Sequence, residues 1–226
     1  MSQYVSKVSL DRGTIHTNNR GSALTVDRDG LIAFYPMEEK KGSILLVDES
    51  KNGNDGRIYG PTRIDGNISQ ALAFDIGDHV EVRGHSKFNF DLDDFASCFF
   101  LLPQEEGTVL QKSDNESGYE IRIEDSKIKA SFWDDVGSTQ LEAGISIGEE
   151  YFIAVVREAG NARLYINSKL RDLGDAELEL TNTEPLLLGD MTDEGFSGIL
   201  DEIYFYDRNL SQREVRNIYQ KYVGTP

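Results

Sequence analysis

The sequence predicts an all-β fold: two antiparallel sheets packed as a jelly-roll sandwich, with one short C-terminal helix and an N-terminal arm. Three observations carry this reading. From Gly30 onward, short apolar runs recur at roughly 8–12-residue spacing with Gly, Asn and Asp between them, the pattern of a sandwich and not of alternating strands and helices. Only one segment has helical periodicity. The 226 residues are 38% hydrophobic and 10% aromatic, enough to build the core of one large all-β domain.

Taken in order, the apolar runs place strands near 31–35, 44–47, 56–59, 71–75, 78–82, 96–102, 107–112, 118–124, 127–133, 150–157, 161–167, 185–189 and 197–206. The helix follows the last strand. Ser211 caps it, Glu214 completes a capping box, and Val215, Ile218, Tyr219 and Tyr222 form its apolar stripe. Gly224 and Pro226 close it.

Residues 1–28 read differently. They are rich in Ser, Thr, Asn and Gly, alternate weakly, and carry a net +2. Residues 29–226 carry −19, so the overall −17 is concentrated in the sandwich domain. The segment is read as an arm that protein partners or neighbouring copies of the chain would order, with a free tail as the plain alternative. The acidity disfavours nucleic acid and anionic membranes, both of which need clustered Lys and Arg. No apolar run is long enough to span a bilayer, and the first residues lack the apolar stretch of a secretory signal. Cys98 is the only cysteine, which excludes an intrachain disulfide; between Ala96 and Phe99 it reads as a small buried hydrophobe. His16, His79 and His85 are too scattered for a zinc site.

The order of longer blocks is informative. GLIAFYPMEE (30–39) leads into DESKNGNDGRIYGPT (48–62) and QALAFDIGDHVEV (70–82). FASCFFLLPQEEGTVLQKSD (95–114), GYEIRIEDSKIKASF (118–132) and GEEYFIAVVREAGNARLYINSKLRD (148–172) follow. PLLLGD (185–190) and FSGILDEIYFYDRNLSQREVRNIY (196–219) end the series. Together they resemble the laminin G-like, concanavalin A-like lectin/glucanase jelly-roll family over about residues 30–223. Family members often carry Trp where Phe99, Phe100 and Tyr151 stand here.

Three chemistries compete for the site. The loop 47–56 gathers Asp48, Asn52 and Asn54 with other oxygen-bearing side chains, the donors Ca²⁺ prefers. The resemblance adds Asp201 as a further ligand of a structural calcium. Plain turn chemistry at Asn-Gly and Asp-Gly is the competing reading, with Asp201 capping backbone amides of the loop. Glu202 would face away from Asp201 and pair with Arg208 or Arg213. Glycan recognition points to Trp133, Tyr59 and Tyr119 as aromatic platforms near strand ends, against a core role for each. Catalysis would need paired carboxylates. The nearest string, Glu120-Arg122-Glu124, puts a cation between two acids about 13 Å apart, which reads as a cross-strand charge ladder.

The expectation is therefore a non-catalytic interaction module. A cytoplasmically made protein exposed on a virion, such as a phage decoration or tail-associated protein tethered by its arm, reconciles the resemblance with the missing signal. A free-standing, calcium-dependent or calcium-free glycan-binding lectin is the alternative, and a glycosidase the third reading.

Overall fold

The computed structural model describes residues 26–66, 69–83 and 85–223. Its strands are β1 (Leu31–Tyr35), β2 (Leu45–Leu46), β3 (Gly56–Tyr59), β4 (Thr62–Asp65), β5 (Gln70–Phe74), β6 (His79–Val82), β7 (Phe95–Glu105) and β8 (Gly107–Ser113). They continue with β9 (Gly118–Glu124), β10 (Lys127–Trp133), β11 (Ser138–Gly144), β12 (Tyr151–Glu158), β13 (Asn161–Ile166), β14 (Lys169–Asp175), β15 (Leu186–Gly189) and β16 (Ser197–Tyr206). Helix α1 (Gln212–Val223) closes the fold.

Two antiparallel sheets form. Sheet A runs β14-β13-β12-β7-β16-β5-β4, with β1 also on β16; sheet B runs β11-β10-β9-β8-β15-β6-β3-β2. Every expected strand is present, and three further strands appear: β4, β11 and β14. All three are sheet edges, mostly exposed and polar. An edge strand buries little and is blunted with charge, so it lacks the apolar run that marks an interior strand.

The main core lies between the sheets. Alternate residues of sheet B (Ile58, Val80, Leu110, Ile121, Ile128, Phe132) meet those of sheet A (Leu72, Phe99, Ile153, Leu164, Phe205). The two outer faces differ. Sheet A's outer face is apolar, and a second cluster (Cys98, Phe100, Phe152, Tyr204, Tyr206) packs there under Val215 and Ile218 of α1. Cys98 is fully buried in it, as the sequence implies. Sheet B's outer face carries no such cover among the described residues.

The capping box forms as expected: the Ser211 amide donates to Glu214 Oε2 at 2.8 Å, and the Glu214 amide to Ser211 Oγ at 3.3 Å. Gly224 and Pro226 lie outside the described residues. So do residues 1–25 of the expected arm. Its last residues are seated on the sandwich. Val26 packs on the outer cluster of sheet A, and the Tyr206 hydroxyl donates to Asp27 O at 3.0 Å. Arg28 Nη1 donates to Glu49 O at 3.2 Å.

Candidate functional site

Cross-strand register aligns the outer face of sheet B into rows. One row reads Arg57, Glu81, Leu187, Gln111, Glu120, Ser131 and Gln140 from β3 to β11. The next row toward the 114–117 turn reads Ser113, Gly118, Trp133 and Ser138. Trp133 is half-buried, and its indole Nε1 donates to Asp114 O at 3.3 Å. Asp114 lies beyond β9, so the indole reaches across Gly118. That position admits no side chain, because a Cβ there would approach Ser113 Cα to 2.5 Å. Its other neighbours on this face, Ser131 and Ser138, are small and polar. An aromatic plate on a bed of small hydroxyl and amide groups can stack on the apolar face of a ring while hydrogen-bonding its hydroxyls.

The polar groups beside the plate are held in place. Thr108 Oγ1 donates to Glu120 Oε1 at 2.6 Å, Ser113 Oγ donates to Gln111 Oε1 at 3.1 Å, and Gln111 Nε2 donates to Asp190 Oδ2. Arg122 lies between Glu120 and Glu124, 3.9 Å from each, and pairs with Glu194 at 2.7 Å. This is the charge ladder the sequence implies, on one face as period-two alternation requires.

Tyr59 occupies a different place. Its ring stacks on His79 at 4.8 Å, with the Arg57 guanidinium 5.3 Å from its centroid. Five interstrand steps separate β3 from β10, roughly 24 Å, so Tyr59 and Trp133 cannot contact one sugar unit. Tyr119 corrects the third expectation. It is 4% exposed, packs in the main core and donates its hydroxyl to Phe88 O at 3.2 Å. The same alternation that turns Glu120 outward turns Tyr119 inward.

The structure does not bring the four expected calcium ligands together. Asp48 accepts the amides of Phe34 (3.0 Å) and Ser50 (2.8 Å) on Oδ1 and that of Asn54 (3.0 Å) on Oδ2, so both carboxylate oxygens hold backbone. Asn54 Nδ2 donates to Ile32 O at 2.7 Å and Asn52 Nδ2 to Leu31 O at 2.8 Å. These residues clamp the loop onto the edge of β1 that faces away from β16, so β1 stands between Asp48 and Asp201. Asp48, and not Asp201, caps the loop amides. With Asp48 capping backbone amides and Asp201 on the far side of β1, the four residues do not converge on one point in this structure. Among the described residues no group of three or more His, Cys, Asp or Glu is placed to hold a metal ion.

Asp201 sits where β16 changes partner. One edge of β16 pairs with β5 over Gly198–Leu200 and with β1 from Ile203 on, and the strand bulges between, with Glu202 at φ 51°. Asp201 lines a pocket of about 90 Å³ with Asp65, Gly66, Ala71, Phe100, Leu101, Leu102, Glu150 and Ile199. Its Oδ1 is buried without a hydrogen-bond partner, and burial followed by repulsion from Glu202 pushes its pKa up to about 8. Glu202 is buried too and corrects another expectation: it pairs with neither Arg208 nor Arg213. It accepts the hydroxyls of Tyr204 (3.2 Å) and Tyr222, latching the end of α1 to the sheet. Arg208 pairs with Glu214 at 2.8 Å and Asp27 at 3.5 Å.

Comparison with known proteins agrees with this architecture. A family model described as the concanavalin A-like lectin/glucanases superfamily matches residues 74–216. The chain belongs to this superfamily. No curated protein sequence matches it. Similar solved structures share the fold at low identity. The binding domain of Paraclostridial Mosquitocidal Protein 1 aligns with TM-score 0.75 and 19% identity, covering 88% of this chain and 53% of that one. The botulinum neurotoxin serotype D binding domain aligns with TM-score 0.70 and 17% identity, covering 88% and 52%. Domain 4 of AbnA, an extracellular GH43 arabinanase from Geobacillus stearothermophilus, solved with arabinotriose, aligns with TM-score 0.69 and 17% identity, covering 84% and 98%. The chain thus spans about half the length of the toxin domains it matches and nearly all of the arabinanase domain. As a concanavalin A-like sandwich, it covers the outer face of sheet A with α1 and, among the described residues, leaves that of sheet B open.

The sequence singled out Trp133 but missed Gln111, Ser131 and Gln140 beside it. Alternation tells which residues of one strand share a face. It does not tell which strands are neighbours or in what register, so the row was invisible.

Proposed function

We propose that this chain is a non-catalytic glycan-binding module that takes its ligand on the outer face of sheet B, with Trp133 as the stacking platform. The observation that carries this is the contrast between the two outer faces: one apolar and covered by α1, the other polar, uncovered among the described residues and bearing a half-buried indole on small residues. The company of the fold supports it, since one structural neighbour was solved with arabinotriose and another, a type C botulinum neurotoxin, is described as interacting with two ganglioside molecules. The Arg122 ladder supports the non-catalytic part, because it spends Glu120 and Glu124 on a cation. On a glycan array the protein is expected to give saturable binding that falls at least tenfold in Trp133→Ala, as loss of an aromatic contact of about 1.5 kcal/mol requires. Unchanged binding in a folded Trp133→Ala variant would remove the platform.

A second reading concerns attachment to a larger assembly, such as a phage particle, through residues 1–28. It is favoured by the basic-leaning composition of that segment and by the seating of residues 26–28 beside α1. Deleting residues 1–25 is expected to abolish co-sedimentation with the assembly while leaving the thermal midpoint unchanged. Retained co-sedimentation would sink it.

A further inference from the structure

Charge around the platform selects among glycans. Near Trp133 the acidic side chains are Asp114 and Asp134 on the adjoining turns, Asp135 beside them, and Glu120 in the neighbouring row. No Lys or Arg stands in the row of Trp133 or between Gln111 and Gln140 in the next. The nearest cations on the face, Lys129 and Arg122, are four residues along their strands, about 13 Å away. Both are engaged: Lys129 with Glu124 and with Asp125 at 3.7 Å, Arg122 with Glu194 at 2.7 Å. Lys127 is held by Glu142 at 2.5 Å and Arg83 by Glu81 at 2.9 Å. Lys112 is close in sequence but fully buried, donating to Asn182 O and Oδ1. The remaining cation on the strands of sheet B, Arg57, lies at the Tyr59 end, roughly 24 Å across the sheet.

From this we infer that the Trp133 platform recognises uncharged glycans and rejects those carrying carboxylate or sulfate groups. The inference rests on the glycan-binding reading and names its ligand class. A sialic or uronic acid stacked on the indole would bring a fixed negative charge toward several carboxylates and find no free cation among the described strand residues of that face, and specificity of this kind arises from repulsion as much as from attraction. Asp114 and Asp134 are held in the charged form, because each accepts two or more backbone amides, which keeps their pKa values below the usual carboxylate range. The repulsion is therefore present throughout the neutral and mildly acidic range, and it is screened by salt.

The test is an array on which neutral oligosaccharides stand beside sialylated, uronate and sulfated counterparts of the same core, probed with wild type, Trp133→Ala and Arg57→Ala. The expected result is binding to neutral members at least tenfold tighter than to their anionic counterparts. The gap should narrow between 0.05 and 0.5 M salt (on the order of a Debye length of 14 to 4 Å), and binding should be lost in Trp133→Ala and kept in Arg57→Ala. Anionic members binding as tightly, and lost in Trp133→Ala, would overturn the charge selection while leaving the platform standing. Anionic binding that survives Trp133→Ala and disappears in Arg57→Ala would overturn it by moving the site to the Tyr59 end. A blank array overturns the glycan-binding reading itself.

Discussion

Arg157→Leu is expected to lower the unfolding free energy by about 3–5 kcal/mol. Arg157 is fully buried on β12, and its fork donates to four backbone carbonyls. Nε reaches Asp93 O at 2.8 Å, Nη1 reaches Leu178 O at 2.8 Å, and Nη2 reaches Phe90 O at 2.9 Å and Asp91 O at 2.6 Å. It also lies 5.2 Å from the centroid of Phe95. Burial pulls its pKa down to about 10, leaving it charged at neutral pH, while Asp94, Asp93 and Asp91 oppose the shift. Two segments with little regular structure, 90–93 and 176–180, are thereby fastened to one strand. A leucine would fill part of the volume and leave those carbonyls without donors. Arg157→Lys is expected to recover less than half of the loss, since one ammonium cannot reproduce a planar fork aimed at diverging acceptors. Urea denaturation of the three proteins measures both. A loss below 1 kcal/mol for the leucine variant would mean that water replaces the guanidinium.

Asp201→Asn is expected to act in the opposite direction, stabilising the protein by about 1–3 kcal/mol at pH 8 and by less at pH 5. In the unfolded chain the carboxyl ionises near 3.9. In the fold burial, with help from Glu202, raises that value to about 8. Between these values the folded state binds the extra proton, so stability is greatest at the acid side and declines as pH rises toward 8. An amide has the same shape and cannot ionise, so the variant should lose that slope. Glu202, also shifted upward by burial, leaves its own slope behind. Denaturation midpoints at half-unit steps from pH 5 to 8.5 decide the matter. A variant less stable than wild type at every pH would show that the folded protein needs the Asp201 charge.

Much of the architecture was legible because the jelly roll depends on local alternation. Interior strands announce themselves by paired apolar positions, and the 211–214 capping box marks the helix from four residues. The edge strands β4, β11 and β14 escaped because they bury almost nothing. The site was legible only by halves. Trp133 stood out as the single tryptophan before a turn, and the parity of Glu120, Arg122 and Glu124 already contained the argument that removes Tyr119. The role of Asp48 required knowing that its loop lies along β1. Arg157 sits in an apolar run, AVVREAG, where nothing local says that its charge is buried, because its acceptors come from segments about 21 to 67 positions away.

The way α1 and β1 close sheet A also fixes the direction in which the molecule faces. The described chain enters at Val26 against the covered face and leaves at Val223 at the end of the helix that covers it. From both of those residues the outer face of sheet B lies on the far side of the sandwich. A glycan platform at Trp133, as proposed, would therefore face away from both Val26 and Val223.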